Sequence, residues 1–170
     1  MYVQTTKEVN NTKNTSNIDS DHAIDSCMLS TTDSQLNDCM FFSSCKLARV
    51  VTKMAEDEFL VTGLSPSHAF LLYIVNKNNG IQQKNIGEML HMTPSTITRF
   101  VEKLDGKGLI ERKSEGKNVY IFQTDKGIQL QPEIEKAWMR IHEVYSDILT
   151  VEESKQFVTI INKIIAKIEN

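Results

Sequence analysis

The sequence predicts a mostly α fold with a small β-wing, and three observations predict it. Apolar residues recur at helical steps through most of the chain beyond residue 35. Twice a hydroxyl residue stands directly before a proline, at Ser65-Pro66 and Thr93-Pro94, which is how a helix N-cap and its first residue read. Two β-favouring segments, 109–113 and 119–123, flank Ser114-Glu115-Gly116-Lys117-Asn118, whose Gly-centred chemistry closes a hairpin. Between Ile86 and Ile121 the order is short helix, tight turn, second helix, basic hairpin. We therefore expect a winged helix-turn-helix domain flanked by N- and C-terminal dimerisation helices.

Residues 1–34 are rich in Asn, Thr, Ser and Asp and hold no apolar period, so they are expected to form a mobile polar, acidic tail. Residues 35–62 form the expected first dimerisation helix, with Cys39, Phe42, Leu47, Val50, Val51, Met54 and Phe59 at mixed three- and four-residue steps and Gly63 ending it. The winged domain spans 63–123. Its first helix opens at Ser65-Pro66, and apolar residues from Ala69 to Val75 cover most of its circumference, as a central buried helix requires. The next runs from Gln82 to Leu90, with Ile86, Met89 and Leu90 inward. Thr93-Pro94 opens the helix that ends near Gly106 or Gly108.

Residues 124–170 are expected to be the C-terminal dimerisation helices. Thr124 caps a long helix striped by Ile134, Ala137, Trp138, Ile141, Val144, Tyr145, Ile148 and Leu149, with Pro132 kinking its first part. Thr150-Val-Glu-Glu153 is a capping box before a last helix whose stripe is Phe157, Ile160, Ile161, Ile164, Ile165 and Ile168. A helical pair trailing a small domain has little core of its own to cover. Its isoleucine stripe is expected to meet a second copy of the chain, the alternative being packing within one chain.

In the helix after Thr93, Ile97, Phe100, Val101 and Leu104 share one side, while Ser95, Arg99, Glu102 and Lys103 hold the other, flanked by Thr96 and Thr98. Arg99 suits the paired acceptors of guanine, and the hydroxyls suit base edges or phosphate. Thr93 and Pro94 leave a helix N-terminus fit for phosphate. Arg112, Lys113 and Lys117 of the wing are expected on the phosphate strand. The chain is 170 residues with net charge −3, so a nucleic-acid surface has to be local. Residues 82–118 hold seven Lys/Arg against five Asp/Glu, whereas residues 1–38 hold two against six.

These residues resemble the MarR family of winged-helix regulators (multiple antibiotic resistance regulators). The resemblance rests on Leu64-Ser65-Pro66, Ile86-Gly87 to Leu90, Thr93 through Arg99, Leu104 with Gly108-Leu109-Ile110, the basic wing, and Thr124-Asp-Lys-Gly127. It implies a homodimeric, sequence-specific regulator of transcription on a pseudo-palindromic duplex, typically a repressor released by a small ligand or an oxidant. The first and last helices would form the interface. The wing departs from the family pattern: it is short, its Asp-x-Arg signature is missing, and Glu115-Gly116-Lys117 stands there instead. Lys117 would take the place of the arginine.

The resemblance also implies a sensing site. His68, Tyr73, Trp138 and His142, with Tyr145, are candidates to line a groove for a small lipophilic or phenolic effector, though aromatic residues on such helices usually serve the core. Cys39 occupies about the place of the reactive cysteine in peroxide-sensing members, but Met40, Phe41 and Phe42 give it an apolar setting that disfavours a thiolate. Cysteine spacing suggests no metal, no cofactor is expected, and no nucleophile elbow or phosphate-cradling loop suggests an enzyme. The chain shows neither a signal segment nor an apolar run near the ~18 residues of a membrane span, so a cytoplasmic protein without membrane contact is expected. The alternative function is a winged-helix protein-interaction module without DNA binding.

Overall fold

The computed structural model describes Leu36 and residues 38–169. The expected tail and Cys27 lie outside the described residues. The chain divides into two units, residues 1–48 and 49–170, with the division inside the first helix, α1 (Met40–Phe59). In the first unit Cys39 immediately precedes α1, its carbonyl accepting from the Ser43 amide at 2.9 Å. Cys39 and Cys45 are free thiols, both partly exposed. Met40, Phe41, Phe42 and Leu47 are exposed, Phe41 and Phe42 meeting edge to face.

The second unit continues with a single 3-10 turn (Leu60–Thr62), α2 (Pro66–Lys77), β1 (Ile81–Gln82), α3 (Gln83–Leu90) and α4 (Pro94–Gly106). The hairpin β2 (Ile110–Glu115) and β3 (Asn118–Gln123) follows, then α5 (Asp125–Gln129), α6 (Gln131–Ile148) and α7 (Val151–Ile168). As its composition requires, α2 is the central helix, burying His68, Ala69, Leu71, Leu72, Ile74 and Val75. Against it pack Phe59, Ile86, Ile97, Val101, Leu104, Ile110, Ile121, Ile134 and Ala137. Each large aliphatic side chain so buried contributes about 1.5–3 kcal/mol.

The sheet has three strands, all antiparallel, in the order β1-β3-β2. Sequence reading misses β1 because two residues carry no period. Ile81 and Gln82 pair with Ile121 and Tyr120, and the extended backbone of Gln82 delays α3 to Gln83. The hairpin ladder also runs further than expected, to Glu115↔Asn118, leaving a two-residue loop. Gly116 supplies the positive φ (61°) at its first position while Lys117 keeps φ negative, which matches a type II′ turn.

The expected long helix after Thr124 is two helices. Thr124 does cap, accepting from the Gly127 amide, but α5 stops at Gln129 and α6 restarts at Gln131 with Pro132 in its first turn. Pro132 has no amide to bond the Ile128 carbonyl, and its ring would strike that carbonyl in a continuous helix. A second correction concerns Met89, expected inward: it is 53% exposed. The Thr150–Glu153 capping box forms as expected, with the Thr150 amide donating to Glu153 at 2.9 Å. The Glu153 carboxyl is held below its usual pKa chiefly by that backbone bond. Beyond it α7 buries nothing, its isoleucines 160, 161, 165 and 168 all being exposed. No single described helix is long and apolar enough to cross a membrane.

Candidate nucleic-acid interface

The interface is built on α4. Its inward row, Ile97, Val101 and Leu104, is at most 1% exposed, and the half-buried Phe100 packs against the same core. That anchoring leaves the opposite face of the helix to solvent, as its 3.6-residue period dictates. Ser95, Arg99, Glu102 and Lys103 all lie exposed on it. Neither Arg99 nor Lys103 is ion-paired among the described residues. At the N-terminus Thr93 caps through its Oγ1, which accepts from the Thr96 amide at 3.4 Å. Its hydroxyl also meets those of Ser95 (3.1 Å) and Thr96 (2.9 Å), so three hydroxyls cluster where the helix dipole is positive.

Thr98 has a different role from its neighbours. Its hydroxyl donates to the Pro94 carbonyl and accepts from Gln83 Nε2, both at 2.9 Å. Gln83 thus ties α3 to α4 and fixes the turn between them. Sequence reading did not single out Gln83; its place at the N-terminus of α3 was the only signal available. His91 closes α3 in the left-handed region (φ 51°), which turns the chain sharply into α4.

The wing lies beside α4 and its cations divide. Arg112 turns to α4, its Nε 3.3 Å from Asp105 and a terminal guanidinium nitrogen 3.7 Å from Glu102. Lys113 pairs with Glu111 at 3.7 Å and lies 4.9 Å over the Phe122 ring. Lys117, in the loop, makes no ion pair with a described residue. It borders a cleft of about 680 Å³ shared with Gln82, Met92 and Ile97. Three cations, Arg99, Lys103 and Lys117, are therefore open to an anionic partner.

Of the proposed effector residues, three come together and one does not. Trp138 meets Tyr73 edge to face at 5.2 Å, stacks near His142 at 6.1 Å, and touches Phe70 at 5.2 Å. Tyr145, half-buried farther along α6, has its hydroxyl pKa raised by burial. His68 lies outside this cluster, buried, its ring 4.3 Å from Phe100 on α4. Its Nδ1 is 2.6 Å from Ser65 Oγ, and its buried Nε2 has no hydrogen-bond partner among the described residues. Burial lowers its pKa, and the nearby positive charges of Lys103 and Lys107 lower it further. Among the described residues no group of three or more His, Cys, Asp or Glu is placed to hold a metal.

Residues 64–118 match the MarR family model, from the residue before α2 through the wing loop. Over that stretch the chain is similar to the MarR family. The chain is 25% identical over 126 residues to the helix-turn-helix-type transcriptional regulator YybA of Bacillus subtilis, across 72% of the chain and 84% of that protein. Its fold is similar to a MarR-family regulator from Listeria monocytogenes in complex with 26mer DNA, at TM-score 0.65 and 25% identity, covering 77% of this chain and 89% of that one. It is also similar to CouR of Rhodococcus jostii bound to p-coumaroyl-CoA, at TM-score 0.67 and 21% identity, covering 76% and 93%.

Proposed function

We propose that this chain is a MarR-family DNA-binding transcriptional regulator that acts as a homodimer on a pseudo-palindromic duplex. The observation that carries this reading is α4: a rigidly anchored helix whose open face holds Ser95, Arg99 and Lys103 beside a capped, positive N-terminus. Arg99 reads guanine through its paired donors, and Ser95 and Thr96 meet base edges or phosphate. Thr93 and Thr98 hold the helix in register. Lys103, Lys117 and the hydroxyl cluster take phosphate oxygens. The family match and the likeness to a regulator bound to DNA support this reading over a protein-interaction module, and over an enzyme.

Residues 63–123 are the reading domain, and α1 and α7 supply the dimer contact through their exposed apolar faces. The regulator works in the cytoplasm as a repressor, released when its dimer changes shape. Tyr73, Trp138 and His142 are placed to hold a flat, lipophilic or phenolic effector, and CouR's binding of an aromatic acyl thioester supports that class. Oxidation of Cys39 is the second route to release. Fluorescence polarisation with the duplex upstream of the gene, against a scrambled duplex over a salt series, tests the core of this proposal. Preferential binding that weakens steeply with salt is expected; equal binding to both duplexes would favour the interaction module.

A further inference from the structure

Arg112 is the wing cation whose surroundings least resemble those of a phosphate contact. In β2 it follows Ile110 by two residues and so shares its face, and Ile110 is buried against the core. It also stands opposite Ile121, which is fully buried. The register therefore directs the Arg112 stem toward the side on which β2 packs against α4. Glu102 and Asp105 are three residues apart on α4 and share a helix face. One guanidinium reaches both, at 3.7 Å and 3.3 Å. Lys113, one residue on, points to the other face and lies over Phe122.

We propose that Arg112 is a positioning residue, joining the wing to α4 and cancelling the charge of Glu102 and Asp105 rather than touching DNA. The inference rests on the DNA-binding reading of α4. All three side chains are partly exposed, between 32% and 54%, so the ion pairs add little to folding stability. Their effect is on binding. Glu102 is adjacent to Lys103 on α4, and Asp105 is two residues further on. Without Arg112 two carboxylates would face incoming phosphates at distances where physiological salt screens poorly. The hairpin carrying Lys117 would at the same time lose its polar link to α4.

A charge swap separates this role from direct contact. Arg112→Asp should weaken duplex binding about tenfold, and adding Asp105→Arg should restore it to within about threefold, because the pair is rebuilt with its ends exchanged. Arg112→Lys, which keeps the charge but not the fork, should lose about threefold or more. Hydrogen exchange of the free protein at amides 111–122 should quicken in Arg112→Asp and slow again in the swap. A swapped protein as weak as the single variant, with a salt slope lower by about one contact, would instead make Arg112 a phosphate ligand and overturn the proposal. Unchanged exchange in Arg112→Asp would overturn it too. Failure of the unmodified protein to bind any duplex would contradict the DNA-binding reading alone, since the exchange measurement still decides whether Arg112 joins wing to helix.

Discussion

Arg99 and Arg112 are both arginines near the surface of one small domain, and their neighbours give them opposite tasks. Arg99 is exposed with no acidic partner among the described residues, while Arg112 is held by two carboxylates. An unpaired guanidinium keeps its whole donor fork for a ligand. Arg99→Ala should therefore relax preference at one base pair of each half-site, costing about 1–3 kcal/mol against the preferred sequence. Competition binding across a set of single-base operator variants measures this, and a uniform loss on every variant would remove Arg99 from base reading. The open face of α4 was legible in the sequence because the row from Ile97 to Leu104 fixes the helix's orientation. The partners of Arg112 and Thr98 were not. Those bonds cross between elements, and spacing along one element is silent about them.

At the scale of elements, two joints tie α4 to neighbouring helices, and they differ in how they respond to solvent conditions. Gln83 and Thr98 form a neutral joint to α3. The joint to α2 contains His68, buried against Phe100 with a pKa lowered by burial and by Lys103 and Lys107. The sign follows directly. Above the unfolded pKa of about 6.5 the ring is neutral in both states; as pH falls below it, the unfolded chain takes up a proton first, so stability drops. Urea midpoints should fall between pH 6.5 and the lower folded pKa, and His68→Phe should flatten that part of the profile. A profile of the same slope in both proteins would show that His68 does not titrate this joint.

Capping signals made most element boundaries legible: Thr93, Thr124 and Thr150 all cap where the sequence places them. The break at Leu130 was only half legible, since a first-turn proline reads equally as a kink or a new start. The closeness of α5 to the wing was hidden altogether. A Cβ at Gly127 would sit 2.1 Å from the Leu109 carbonyl oxygen, a backbone approach no local pattern announces.

At the scale of the whole molecule, α7 is the element that most needs a partner. Phe157, Val158 and four of its isoleucines are exposed. The stripe read from the sequence, Phe157, Ile160, Ile161, Ile164, Ile165 and Ile168, carries no buried position among the described residues, and association with a second copy would remove the cost of its exposure. Ile161→Glu with Ile165→Glu should convert a dimer to a monomer in sedimentation equilibrium while leaving the winged domain folded. A variant that sediments like the unmodified protein would place the interface elsewhere.

A two-fold dimer brings two copies of α4 to one duplex, and their spacing is then set by the DNA. Hydroxyl-radical footprinting of the unmodified protein on the duplex upstream of its gene tests this most directly. The account predicts two protected half-sites related by a two-fold axis and about 10–10.5 base pairs apart, centre to centre, or a multiple of that. Both should disappear together in the Ile161→Glu, Ile165→Glu protein. A duplex left unprotected at concentrations where the protein is dimeric would contradict it.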